Sequence, residues 1–197
     1  MKLSLKTVDF TDDQINKIGN TIIYLSKYMN DLTKTKILNI LYLLEESSIK
    51  KYLVPFLGID FQIWQHGPVA KDIYIDLSEE RPTLLSEFIE KNGEVFVGKK
   101  EFDDGEFSDD DIEILNSVTN FVASKTASEL VKITHGANSL WNICAKSKNV
   151  FDLFESKKQN SSEFTIDFSL LFSGNEYNLR LYEEILENQQ FIRSLKR

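Results

Sequence analysis

The stretch FQIWQHGPVAKDIY, residues 61–74, contains the change of backbone direction around which the rest of this chain is arranged. Phe61 and Ile63 share one face of an extended backbone and Trp64 falls on the other, which is typical of a short two-sided strand. Gly67 then allows a sharp turn, because glycine tolerates backbone angles that other residues avoid. The proline that follows suits the first turn of a helix, where its missing N–H leaves nothing unpaired. The stretch predicts a strand, a corner and a helix.

Two helices are predicted before this stretch. Thr33 is a good N-cap for the second of them, and the connection between the two is short, so we expect the helices to lie against each other. Each carries apolar residues at spacings of three and four, which indicate one buried stripe per helix. The stripes are Ile15, Ile18, Ile22, Leu25 and Met29 in the first helix, and Ile37, Ile40, Leu41 and Leu44 in the second.

A helix followed by a small sheet is predicted after the corner. The helix runs from about Pro68 to Leu77, and a short helical piece lies within RPTLLSEFIEKNGEVFVG, residues 81–98. Val95–Val97 forms a strand candidate bounded by glycines, and we expect it to pair with residues 61–65 in a small antiparallel sheet.

The second half of the chain is predicted to be mainly helical. Ser108 with Asp111, and Thr126 with Glu129, have the spacing of capping boxes, so helices should begin near these residues. The fold class that follows is mainly α (α+β), a compact helical domain with a small antiparallel sheet. The remaining predicted elements are a helix in SLWNICAK (139–146), a surface connection beginning near Lys146, a strand in EFTIDFSLLF (163–172) and a closing helix over residues 175–197.

Composition and charge limit the possible functions. The N-terminal stretch lacks the continuous apolar segment of a signal peptide, and no stretch approaches the ~18 apolar residues of a membrane span, so we expect a cytoplasmic protein. The net charge of −8 disfavours nucleic acid as a ligand and suits a basic protein partner. The single Cys144 lies in an apolar helical context and is predicted to be a buried, inert thiol.

Catalytic and metal-binding patterns are weak. His66 and His135 have no second histidine or cysteine at a metal-ligand spacing, so satisfied structural histidines are the simpler interpretation. The acidic run at 103–111 fails the calcium-loop pattern and is explained by a turn and a helix start. We therefore expect no cofactor, no metal and no enzymatic activity. Catalysis through either histidine stays an alternative hypothesis.

The chain contains, in this order, the segments LTKTKILNILYLLEES (32–47), FQIWQHGPVAKDIYIDL (61–77) and FSDDDIEILNSVTNFVASKTASELVKITHGANSLWNICAK (107–146). Together they resemble the Panacea antitoxin domain of the SocA-like proteins. The Gly-Pro-Val corner and the His-to-Trp spacing together are the more specific features of that domain. The resemblance covers roughly residues 15–147, although the linker in HGANSLW is looser than usual. The matching residues are Thr33, Lys36, Leu41 and Tyr42 in LTKTKILNILYLLEES, then Trp64, Gly67, Pro68, Val69 and Tyr74, and finally Leu130, Thr134, His135 and Trp141.

The resemblance implies an antitoxin that binds and neutralises a toxin encoded beside it, often on a prophage or other mobile element. It implies a Panacea/SocA-like domain at 1–147. The predicted strand and helix that follow form a C-terminal extension at 148–197, which we expect to pack on the same domain and which has no counterpart in the resemblance. An adaptor that delivers the bound toxin to a protease is the alternative function. The candidate partner contacts are Trp64, His66, Tyr74, His135 and Trp141, with core packing as the alternative for the tryptophans.

Overall fold

The structure, a computed structural model, describes residues 10–195 apart from the side chains of Arg193 and Leu195. Residues 1–9, which hold most of the N-terminal stretch considered above, and residues 196–197 lie outside this range. Within it the chain is mainly helical with two small antiparallel sheets, so the predicted fold class is confirmed. The elements are α1 (Asp12–Tyr28), α2 (Lys34–Tyr52), β1 (Gln62–Trp64), β2 (Gly67–Val69), α3 (Lys71–Asp76), β3 (Ile89–Asn92), β4 (Val95–Gly98), α4 (Asp109–Val122), α5 (Ala127–Thr134), α6 (Leu140–Ser147), α7 (Phe151–Glu155), a 3₁₀ helix (Phe168–Phe172) and α8 (Glu176–Leu195).

Helix α2 lies at the centre of the core. It packs mainly against α4 and α5, whereas α1 packs mainly against the hairpin formed by β3 and β4. The predicted contact between α1 and α2 is therefore not the main packing of either helix. The reason is that β4 reaches the α1–α2 connection, where the N–H of Phe96 donates to the carbonyl oxygen of Leu32 at 2.9 Å.

Both sheets differ from the predicted pairing. Strand β1 pairs with β2, its immediate neighbour in the chain, and β3 pairs with β4 in the same way. The predicted pairing of 61–65 with 95–97 is wrong, because each strand has a closer partner across a tight turn. Pro68 lies in β2 opposite Ile63, so the helix predicted from Pro68 to Leu77 begins only at Lys71.

Other local predictions also need correction. The helical piece predicted within residues 81–98 is replaced by turns that lead into β3. The surface connection after Lys146 contains α7. The strand predicted at 163–172 is reduced to one bridge between Thr165 and Gln62, followed by the 3₁₀ helix.

The C-terminal segment nevertheless extends the first sheet. The N–H of Ile63 donates to the carbonyl oxygen of Phe164 at 2.9 Å, and the N–H of Gln65 donates to that of Asn160 at 3.0 Å. The N–H of Ile166 donates to the carbonyl oxygen of Phe61 at 2.7 Å. Strand β1 therefore has backbone partners on both of its edges.

The predicted helix starts at Ser108 and Thr126 are confirmed. Each hydroxyl accepts from a backbone N–H three residues later, and each paired carboxylate accepts from the N–H of the cap. The acidic residues at 109–111 occupy the first turn of α4, where the helix dipole favours negative charge. Cys144 is buried, as predicted, and burial raises the pKa of its thiol. No helix within residues 10–195 is long and apolar enough to cross a membrane.

Candidate functional site

The turn between β1 and β2 is fixed by a close approach to α2. Gly67 has a φ of +119°, which side-chain-bearing residues rarely adopt. A Cβ at this position would lie 2.7 Å from Oδ1 of Asn39, well inside van der Waals contact. Glycine is therefore required both by the backbone angle and by the space that Asn39 occupies.

Asn39 also ties α2 to α5. Its Oδ1 accepts a hydrogen bond from the hydroxyl of Thr134 at 2.9 Å, and its Nδ2 donates to the carbonyl oxygen of Thr35 at 2.9 Å. Both Asn39 and Thr134 are buried. Sequence reasoning did not identify Asn39 as part of the site, although an amide within the apolar run ILNILYLL is a signal that could have done so.

His135 fastens the end of α5 to the corner. Its Nδ1 lies 2.6 Å from the carbonyl oxygen of Val131, and its Nε2 lies 3.0 Å from that of Gln65. Burial lowers the pKa of His135, and the two carbonyl oxygens oppose this effect because they favour the protonated ring. Since both nitrogens face main-chain oxygens, the ring connects the end of α5 to the backbone of the corner.

Trp141 packs on the inner side of the corner. Its ring centroid is 3.8 Å from that of His135, and its Nε1 donates to the carbonyl oxygen of Trp64 at 3.1 Å. The indole is stacked at 6.1 Å from the ring of Phe154. Trp141 is only 2% exposed, so the core alternative describes it and it cannot reach a partner in this conformation.

An aromatic surface lies on the outer side of the same corner. The rings of Trp64 and Tyr74 meet edge to face at 4.8 Å, and Nζ of Lys34 is 4.3 Å from the centre of the Tyr74 ring. Nε1 of Trp64 donates to Oε1 of Gln62 at 3.0 Å. All four side chains are half-buried, and together they are called the Trp64 face. His66 is exposed in the turn beside it.

The corner lies within a region that matches a known family. The family model described as Antitoxin SocA-like, Panacea domain, matches residues 37–142, which is more than half of the chain. The chain belongs to this family. No curated protein and no solved structure matches it.

The matched Panacea region begins within α2 and ends within α6. Of the residues described above for the corner and the Trp64 face, it leaves out Lys34, Thr35 and those of the C-terminal segment. The family resemblance inferred from the sequence is thereby confirmed. The match leaves out α1, α7, the 3₁₀ helix and α8. The division of the chain between residues 147 and 148 stays a prediction.

The five candidate contacts of the Panacea domain separate into two groups. Trp64 and Tyr74 form part of the Trp64 face, and His66 is exposed next to it. His135 and Trp141 lie behind the corner and hold it in shape. The domain signature therefore contributes both an accessible aromatic surface and the buried contacts that fix that surface in position.

Proposed function

We propose that this protein is a non-enzymatic antitoxin that neutralises a cognate toxin by direct protein–protein binding in the cytoplasm. The observation that carries the proposal is the Panacea match over residues 37–142. The toxin would be encoded beside this gene. The Trp64 face supports the proposal because tryptophan and tyrosine are the residues that most often anchor protein interfaces.

The electrostatics of the chain suit a basic toxin. Its net charge is −8, and an acidic surface accelerates encounter with a basic partner while weakening binding to nucleic acid. The corner contributes rigidity, because a preformed surface loses less conformational entropy when it binds. Binding would occlude the active surface of the toxin without any chemical step.

Co-expression with the neighbouring gene tests the proposal. We expect that product to arrest growth when expressed alone, and we expect this protein to restore growth and to co-purify with it. Continued arrest without a complex would overturn the proposal. A complex whose formation shortens the half-life of the toxin would favour the proteolysis adaptor instead of simple occlusion.

Variants of the Trp64 face test the surface. Trp64→Ala should weaken toxin binding by about tenfold or more, as expected for an aromatic anchor. Thr165 is exposed and pairs with Gln62 of the Trp64 face. Thr165→Arg is therefore a second variant that should weaken toxin binding, because a bulky cation at this position would cover the face without altering the core. Phe121→Ala, which removes an exposed aromatic ring on α4, is the matched control and should bind normally.

A further inference from the structure

The outward side of α8 carries an ordered row of exposed side chains. Successive members are three or four residues apart, the spacing that keeps residues on one face of a helix. The opposite side of the helix holds Tyr182, which is 5% exposed and whose ring lies 5.3 Å from that of Phe172. The row faces away from the core and is called the α8 stripe. It consists of Tyr177, Arg180, Glu184, Glu187 and Phe191.

The two ends of the α8 stripe are aromatic. Tyr177 is 75% exposed and Phe191 is 63% exposed, which makes them the two most exposed large hydrophobic side chains whose burial the structure describes. They are fourteen residues apart, so at 1.5 Å per residue their backbones are separated by about 21 Å along the helix. Single exposed aromatics need no explanation, but a pair at the two ends of one helical row has the arrangement of interface anchors.

The middle of the α8 stripe is acidic. Glu184 and Glu187 lie between the aromatic ends and Glu183 flanks them, against the single cation Arg180. In an antiparallel pair of α8 helices centred on the stripe, Glu184 would face its own copy, so self-association is disfavoured. Nucleic acid and anionic membranes are repelled by the same carboxylates. The complementary surface is a basic patch on another protein.

We propose that the α8 stripe docks on a basic surface of the toxin. Lysine or arginine side chains of the toxin meet Glu184 and Glu187, and two apolar pockets receive the rings of Tyr177 and Phe191. The first half of the stripe and Leu181 line a surface depression. Because α8 lies outside the matched region 37–142, this contact lets the chain select its own partner. The inference rests on the proposed antitoxin function.

Binding measurements with the purified product of the neighbouring gene test the inference. Phe191→Ala and Tyr177→Ala should each raise the dissociation constant by about tenfold, while Phe121→Ala on α4 should leave it unchanged. The double variant Glu184→Lys, Glu187→Lys should slow association by about tenfold at low salt and much less at high salt. Glu79→Lys with Glu80→Lys makes the same change of charge at exposed positions after α3 and is its control.

Each outcome has a distinct meaning. If the wild-type protein does not bind the neighbouring product, both the proposed function and this inference fail. If the wild type binds and all the α8 variants bind equally well, the inference fails alone and the antitoxin proposal stands. A wild-type dimer that Phe191→Ala converts to a monomer would assign the stripe to a second copy and overturn the inference. The changed side chains are exposed, so thermal unfolding should be unaltered.

Discussion

Replacing Gly67 with alanine tests whether the corner depends on the contact between the β1–β2 turn and α2. The φ of +119° is unfavourable for alanine, and a residue held in so sparsely populated a backbone region costs about 1–3 kcal/mol. The new methyl group would also stand 2.7 Å from Oδ1 of Asn39. Asn39 must then move away from Thr134, and losing a buried hydrogen bond costs about 1–3 kcal/mol more.

The expected total for Gly67→Ala is about 2–6 kcal/mol, a large part of the roughly 5–15 kcal/mol that stabilises a typical domain. Gly93→Ala is the matched control, because Gly93 also has a positive φ, +64°, but nothing lies within 4 Å of its added Cβ. The control should lose only the backbone contribution, about 1–2 kcal/mol.

Urea unfolding followed by tryptophan fluorescence is the suitable assay. The chain has two tryptophans, Trp64 and Trp141, and both lie in the corner, so the signal reports on the structure that the change perturbs. The difference between the two variants measures the contact with Asn39 together with the extra backbone cost of a φ of +119° over one of +64°. Equal losses of unfolding free energy in Gly67→Ala and Gly93→Ala would refute the reasoning.

Three further predictions concern His135, Asp76 and Cys144. Because burial lowers the pKa of His135, the unfolded chain binds that proton first as pH falls below about 6.5, so the folded protein should lose stability there. His135→Gln should reduce this pH dependence in urea titrations, and an unchanged slope would contradict it. Asp76→Ala should cost about 2–4 kcal/mol, because the buried carboxylate of Asp76 accepts three backbone N–H groups, whereas exposed Glu79→Ala should be neutral in the same assay. Cys144 should react with a thiol reagent only in denaturant, and rapid labelling of the folded protein would count against its burial.

Local chemistry explains which elements the sequence could predict. The capping boxes at Ser108 and Thr126 are closed by residues three positions away, so the evidence for each helix start lies within one turn of chain. Pro68 was assigned to a helix because proline fits a first helical turn. Its place in β2 depends on Gly67 and on Asn39, which is almost thirty residues earlier in the chain and invisible to a local pattern.

The candidate site was only partly predictable for the same reason. Trp64 and Trp141 are both family-signature residues, yet one is half-buried and the other is in the core. The difference is set by distant partners, Tyr74 for the first and Phe154 for the second. The strand prediction for 61–65 was sound, but short strands do not identify their neighbours, so its pairing with β2 and with residues 160–166 was missed.

The backbone pairing on both edges of β1 has a consequence for synthesis on the ribosome. One edge can close as soon as β2 has emerged, but the other must wait until residues 160–166 have been translated. An incomplete chain that ends near residue 142 would display an open strand edge, the kind of template on which chains aggregate. Residues 160–166 therefore cover a strand edge that the region bearing the family signature would otherwise leave open.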